Sequence, residues 1–190
     1  MESSSITAYH PIYFNPKEKH ALYEFCRSLK ALIQEPAKNS RAIVLLCIGS
    51  DRATGDCLGP LIGYKLSKIP AINYPNLHIY GTLSSPVHAK NLAEIITDIQ
   101  KTYEDPFLIA LDASLGLASH VGFVTLSEGS LNPGIGVNKQ LPSVGDIHIT
   151  GIVNLSGMQS HLLLQTTRLD EVMHLADFIC MGMRYAFSLC

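Results

Sequence analysis

The sequence predicts a three-layer α/β/α fold with a mainly parallel sheet and an antiparallel edge strand. Residues 42–48 and 107–111 are short and continuously apolar, as is typical of parallel strands buried on both faces. Residues 87–103 place apolar side chains at helical spacing, and a shorter strand is predicted at residues 77–80. The order strand, helix, strand, helix, strand indicates right-handed parallel crossovers.

The first third of the chain is predicted to contain an arm and two helices. Residues 1–16 carry Ser, Pro and a few aromatic side chains, and we interpret them as an arm along the body of the domain. Residues 17–34 have an apolar stripe at helical spacing, and Pro36 marks the end of that helix. The next helix begins between Asp56 and Pro60, because proline is tolerated in a first helical turn, and runs to about residue 67.

The second half of the chain is predicted to complete the sheet and to end in a helix. A strand at about residues 121–126 pairs as a hairpin or as an edge strand. Residues 127–145 are rich in Gly and Pro, and a loop of this length is usually functional or mobile. Residues 147–155 fit either a strand or the start of a helix, residues 161–167 fit a last strand, and residues 169–187 fit an amphipathic helix.

Length, charge and cysteine usage exclude several classes of protein. A chain of 190 residues is most economically one domain, here residues 1–190. The net charge of -2 and the lack of a basic cluster argue against a nucleic-acid partner. The apolar stretches are too short for a membrane helix, and the start lacks an export signal, so we expect a cytoplasmic protein. Five cysteines without a CxxC pair argue against a disulfide framework or structural zinc. Nothing indicates the oligomeric state.

Two aspartates and a histidine are predicted to meet at one rim of the sheet. In an open parallel sheet, ligands bind beyond the carboxyl ends of the strands, so the loops after the first three strands share a rim. Asp56, His88 and Asp112 all follow these strands and are expected there. Two carboxylates at one rim share a proton and activate water, or together bind a metal. Each aspartate taken alone also fits a helix cap or a turn.

The glycine-rich segment after the first strand also has the outline of a phosphate-binding loop and contains a cysteine. A P-loop needs the pattern GxxxxGK[ST], but five residues separate Gly49 from Gly55 and Asp56 replaces the lysine. A nucleotide site is therefore disfavoured. Cys57 beside Asp56 suggests a nucleophile paired with a histidine, although a lone cysteine before an apolar helix is usually buried packing. Arg52 is interpreted as shaping this loop or pairing with its neighbour Asp51.

Several separated segments resemble a known family: "IGSDRATGDCLGPLIGYKL", "GTLSSPVHAKNL", "LIALDASLG" and "NPGIGVNKQLPSVGDIHITGIVN". They are similar to the YyaC-type family of spore proteases from spore-forming bacteria, from about Arg41 to about Met173. That family is similar in turn to the germination proteases and the hydrogenase maturation proteases, which share a phosphorylase/hydrolase-like α/β/α fold. The resemblance implies a peptidase for a peptide or protein substrate, in the cytoplasm of a sporulating cell or spore.

The resemblance also implies roles for individual residues. Asp56 and Asp112 match the positions of the suspected catalytic aspartates of germination proteases. In hydrogenase maturation proteases the corresponding acidic pair binds a metal with a histidine of an HxTG-like segment, and the segment that begins at His148 has this form. We therefore predict Asp56 and Asp112 as catalytic residues and, as a second use, a zinc or nickel ion on Asp56, Asp112 and His148. The first metal position is typically Glu in that group, whereas here it is the shorter Asp56.

Three further residues are predicted to contact the substrate: His88, Asn138 and Lys139. His88 fits a solvated turn as well, and the two loop residues fit a solvent-facing loop tip. His148, flanked by isoleucines, fits a core histidine as well as a ligand. A non-enzymatic sporulation factor, which uses the same rim to bind a protein end or a metal, is the competing function.

Overall fold

The structure, a computed structural model, describes residues 10–39, 41–68, 76–133, 141–157 and 160–188. These residues form a six-stranded sheet with helices on both faces. In chain order, the strands are β1 (Ile12–Phe14), β2 (Ile43–Cys47), β3 (Leu77–Tyr80), β4 (Phe107–Gly116), β5 (Val124–Glu128) and β6 (Ile147–Leu155). The helices are α1 (Ala21–Lys38), α2 (Leu58–Ser67), α3 (Leu92–Thr102), α4 (Ser160–Thr166) and α5 (Leu169–Ser188).

The sheet has the order β1-β5-β6-β4-β2-β3, and its four adjacent strands β3, β2, β4 and β6 are parallel. Strand β5 is antiparallel to β6, and β1 is antiparallel to β5. The predicted α/β class with a mainly parallel sheet is confirmed. The antiparallel strand β5 is not itself the edge, because β1, within the predicted arm, pairs with it and forms that edge.

The two faces of the sheet carry separate apolar cores. In β2, Ile43 and Leu45 point to the core formed with α1, α2 and α5, whereas Val44 and Leu46 point to the core formed with α3. All five residues of β2 are buried, as the continuous apolar run predicted. Helix α1 buries one stripe of residues spaced four apart, at Ala21, Phe25, Leu29 and Ile33.

In the second half of the chain, one predicted strand is a helix and one ambiguous segment is a strand. The segment predicted as a last strand at residues 161–167 lies in helix α4, and the Thr166 and Thr167 hydroxyls donate to the carbonyl groups of Leu162 and Leu163 four residues back. A short apolar run does not distinguish a strand from a helix by periodicity. Residues 147–155, whose pattern fits a strand or the start of a helix, form strand β6.

Several predicted element ends also differ, for example those of α1 and β4. Helix α1 runs to Lys38 and contains Pro36 in its last turn, rather than ending at that proline. Strand β4 does not end at Asp112 but continues to Gly116, because β6 extends beside it and pairs with it as far as Leu155. Asp112 is therefore an internal strand residue whose backbone is held by a neighbouring strand. In the part of the chain that the structure describes, none of the helices combines the length and the apolar character that a bilayer crossing requires.

Candidate functional site

The end of β2 brings three chain segments together through three consecutive amide groups. These groups donate to the carbonyl oxygens of three different segments: Ile48 to Leu111 at 2.7 Å, Gly49 to Val87 at 2.8 Å, and Ser50 to Asp56 at 3.1 Å. The first acceptor directly precedes Asp112 in the chain, and the second directly precedes His88. The backbone thus holds Asp56, His88 and Asp112 around the end of β2.

Gly49 is the residue that allows this turn. Its φ of 134° lies in the region that residues with a side chain rarely adopt, and a Cβ atom there would overlap the carbonyl oxygen of Asp56. A Cβ atom on Gly59, in the first turn of α2, would overlap the carbonyl oxygen of Ile48. The glycines of this segment therefore serve close backbone approach, which places the start of α2 directly against the end of β2.

A cavity of about 320 Å³ opens at this rim and is lined by charged side chains from several loops. Asp56 and Asp112 contribute two carboxylates, and His88 contributes an imidazole. Arg52, in the loop after β2, and Lys90, in the turn before α3, contribute two cations. Asp56, His88 and Asp112, which were predicted to meet at one rim, thus line the same cavity.

Asp112 is the more strongly perturbed of the two carboxyl groups. It lies opposite Thr150 of β6, and its Oδ1 accepts a hydrogen bond of 2.8 Å from the amide of Ala113. Burial raises the pKa of Asp112 well above its usual range, the negative charge of Asp56 raises it further, and the Ala113 hydrogen bond opposes both effects. A neutral carboxyl group is therefore favoured at Asp112 more than at an ordinary aspartate.

Asp56 occupies a short 3₁₀ turn, Gly55–Cys57, immediately before α2. Its side chain is partly buried and lines the cavity, and its own carbonyl oxygen is the acceptor for the Ser50 amide. Because the backbone of Asp56 is tied to the loop that begins at Gly49, the position of its carboxylate depends on that loop. The charge of Asp56 lies near enough to the partly buried Asp112 to raise the pKa of that carboxyl group.

His88 is held by its backbone while one ring nitrogen is left without a partner. Its amide donates to the Asn91 side-chain oxygen at 2.8 Å, and its carbonyl oxygen accepts from the Asn91 and Leu92 amides at 3.0 Å. The Asn91 side chain also donates to the carbonyl oxygen of Pro86 at 3.1 Å. The His88 Nδ1 atom is buried and has no hydrogen-bond partner among the described residues.

His148 lies away from this cavity. It is level with Ala110 of β4, two residues before Asp112, and its Nδ1 is 2.9 Å from the carbonyl oxygen of Gly129. Within the described ranges no group of three His, Cys, Asp or Glu side chains is arranged to hold a metal ion. The predicted metal site on Asp56, Asp112 and His148 therefore stays a prediction.

The remaining predicted residues divide into two groups. Asn138 and Lys139 lie outside the described residues. Cys57 is buried, its Sγ donates to the carbonyl oxygen of Thr54 at 3.0 Å, and burial raises the pKa of its thiol, as does the nearby charge of Asp56. A thiol that is kept protonated is a poor nucleophile, so the hypothesis of a cysteine nucleophile loses support.

Sequence reasoning missed Lys90 and undervalued Arg52 as residues of the site. None of the ion pairs within the described residues joins Arg52 to Asp51. A signal was available for Lys90, because it lies two residues after His88 at the start of the same predicted helical segment.

The fold and the sequence are both similar to known proteins. The chain is 50% identical over 143 residues to "Uncharacterized protein YyaC" from Bacillus subtilis (strain 168). This match covers 75% of this chain and 68% of that protein. The structure of this chain is similar to that of a [NiFe] hydrogenase maturation protease, HycI from Thermococcus kodakarensis KOD1, with a TM-score of 0.50 and 14% sequence identity. The superposition covers 82% of this chain and 98% of HycI. The second likeness shows the fold alone.

The predicted relationship to the YyaC-type family and the predicted fold similarity are both confirmed. Residues 13–182 match a family model described as "Protein of unknown function (DUF1256)". This match spans every described element from β2 to α4 and most of α5. The chain belongs to the DUF1256 family.

Proposed function

We propose that this protein is a peptidase that hydrolyses a peptide bond of a peptide or protein substrate with Asp56 and Asp112 as its catalytic pair. The observation that supports this most is a shared cavity with two carboxyl groups, one of which has its pKa raised by burial and by the charge of the other. Perturbed carboxyl pairs in a cavity are typical of acid–base catalysis.

The mechanism assigns different roles to the two carboxyl groups. Asp56, ionised, accepts a proton from a water molecule whose oxygen attacks the peptide carbonyl carbon. As the C–O bond forms, the carbonyl electrons move to the oxygen, and the protonated Asp112 donates a hydrogen bond to that developing oxyanion. When the C–N bond breaks, the leaving nitrogen takes up one proton from the pair and departs as an amine. One proton remains on the pair, which restores the starting state.

The setting of the pair supports this division of roles. Asp112 is a partly buried residue of the parallel sheet, where burial favours a neutral carboxyl group, whereas Asp56 lies in a 3₁₀ turn after the loop that begins at Gly49. His88, Asn138 and Lys139 remain our proposed substrate contacts. By the likeness of this chain to a protein named as a hydrogenase maturation protease, we also propose a protein substrate rather than a free amino-acid derivative. We propose the cytoplasm of a sporulating cell or spore as its location.

Detection of new peptide termini tests this proposal without knowledge of the substrate. We expect the protein, incubated with a peptide mixture from a whole proteome, to generate new amino termini detectable by mass spectrometry. Asp56→Asn and Asp112→Asn should each lower the rate by about 10²–10⁴-fold. Asp51→Asn is the matched control, because Asp51 is exposed on the same loop and does not line the cavity. Full activity in a folded Asp56→Asn or Asp112→Asn protein contradicts the mechanism.

A binding function without cleavage is the second candidate. The buried His88 Nδ1 without a partner favours occupation of the cavity by a ligand but does not require chemistry there. If the protein only binds, no new peptide termini form, and the immobilised parent and the immobilised Asp56→Asn protein retain the same peptides. Release of cleaved peptides by the parent alone favours the peptidase.

A further inference from the structure

Three nitrogen-bearing groups of the cavity have no bonding partner within the described part of the chain. The Arg52 and Lys90 side chains take part in none of the ion pairs or side-chain hydrogen bonds there, and the buried His88 Nδ1 is also without a partner. All three residues line the same cavity. The two cations are exposed, whereas the Nδ1 atom of His88 is buried.

The two cations reach the cavity from the segments that also carry Asp56 and His88. Arg52 follows the Gly49–Ser50 turn, where its amide is 3.4 Å from the Ser50 hydroxyl. Lys90 lies within the turn that the Asn91 side chain closes by its bonds to the His88 amide and the Pro86 carbonyl. The guanidinium and the ammonium group therefore reach the cavity from two separate loops.

An unpartnered buried ring nitrogen is an unusual feature in a folded protein. Most buried polar groups have a hydrogen-bond partner, and one that lacks it costs stability until a ligand or water supplies it. A neutral imidazole with a proton on Nδ1 donates to an oxygen acceptor. Arginine and lysine are also donors only, so oxygen acceptors with negative charge satisfy all three groups together.

We infer that Arg52, His88 and Lys90 form a carboxylate subsite, which selects peptides with a negatively charged group beside the bond to be cleaved. This inference rests on the proposed function and names its substrate class. An ionised Asp56 repels a substrate carboxylate from the catalytic pair. The substrate is therefore oriented with its charge at the cations and its scissile carbonyl at the two aspartates.

A peptide carboxylate has two sources, the free carboxyl terminus and an internal Asp or Glu side chain. The test uses random octapeptide libraries with either a free or an amidated carboxyl terminus, retained by immobilised Asp56→Asn/Asp112→Asn protein. We expect enrichment of about tenfold for one source, because charge-assisted hydrogen bonds are roughly twice as strong as neutral ones. Preference for the free terminus identifies a terminal subsite. Preference for Asp and Glu over Asn and Gln at one position identifies a side-chain subsite.

Substitutions in the subsite should remove this preference. Arg52→Gln and Lys90→Gln should each lower the enrichment severalfold, whereas Arg184→Gln and Lys101→Gln, which remove equal charges from exposed positions outside the cavity, should leave it unchanged. His88→Asn keeps a polar group near the place of Nδ1 and should retain more enrichment than His88→Gln, which keeps one near the place of Nε2. Circular dichroism verifies that each variant is folded.

The outcomes separate this inference from the proposed function. Equal retention of charged and neutral peptides, no retention of either, or equal effects of the cavity variants and their controls would overturn the carboxylate subsite. If the parent nevertheless cleaves neutral peptides, the peptidase stands without this subsite. If carboxylate peptides are retained through Arg52 and Lys90 but the parent does not cleave them, the subsite stands and the peptidase proposal fails.

Discussion

Gly49→Ala is the perturbation that acts most directly on the backbone beneath the site. At a φ of 134°, alanine is strained, and its Cβ overlaps the Asp56 carbonyl oxygen, which accepts the Ser50 amide. Backbone strain of this type costs about 1–3 kcal/mol, and the loss of one hydrogen bond costs about 0.5–1.5 kcal/mol. We therefore expect the free energy of unfolding to fall by about 2–4 kcal/mol. For a chain of this length that is a decrease in Tm of about 5–15 °C.

Thermal unfolding followed by circular dichroism measures this decrease, with Gly157→Ala as the matched control. A Cβ atom on Gly157 meets nothing within 4 Å, so its Tm should stay close to that of the parent. At a temperature where both variants are folded, Gly49→Ala should also lose peptide cleavage, because the loop that carries Asp56 is displaced. A Tm for Gly49→Ala equal to that of Gly157→Ala would refute the close approach of Gly49 to Asp56.

Three further predictions concern the carboxyl pair and its neighbours. The raised pKa of Asp112 means that its contribution to stability is complete below about pH 3.9, the usual pKa of an unfolded aspartate, and is lost as the pH rises through the folded pKa. In urea unfolding, the stability of Asp112→Asn relative to the parent should therefore increase as the pH rises above about pH 4, and a constant difference would contradict the shift. Cys57→Ser should keep cleavage within about threefold, because its protonated, buried thiol is not a nucleophile; loss of cleavage in a folded variant would restore the cysteine nucleophile. His148→Ala should keep cleavage within about threefold of the parent rate, even after treatment with EDTA, because the His148 ring lies outside the cavity. The metal site would be supported instead if EDTA abolished cleavage and added zinc or nickel restored it in the parent but not in His148→Ala.

The convergence of the site residues was predictable because parallel strands end at the same edge of a sheet. The continuous apolar runs located β2 and β4, and the shorter predicted strand located β3, which together brought Asp56, His88 and Asp112 to one rim. The reason why the loop after β2 approaches so closely was not predictable, because it depends on three successive amides whose acceptors lie in separate segments. The glycine pattern indicated a tight turn but not its partners.

Other features depended on tertiary contacts that a local pattern does not contain. The end of β4 at Gly116 is set by its pairing with β6, not by the apolar run that ends at Leu111. The helix α4 was mistaken for a strand because seven residues contain too few periods for a decision. Arg52 and Lys90 were missed as a pair because they lie on separate loops, and only the fold places both at one cavity.

The central claim is that Asp56 and Asp112 act as one coupled carboxyl pair, and a titration of Asp112 tests it most directly. NMR of protein labelled with ¹³C at the aspartate carboxyl groups follows Asp112 across pH in the parent and in Asp56→Asn. We predict that Asp112 titrates well above the usual aspartate range in the parent, and that Asp56→Asn lowers its pKa without returning it to that range, because burial is the larger cause. An ordinary pKa for Asp112, or one that Asp56→Asn does not change, would contradict the account.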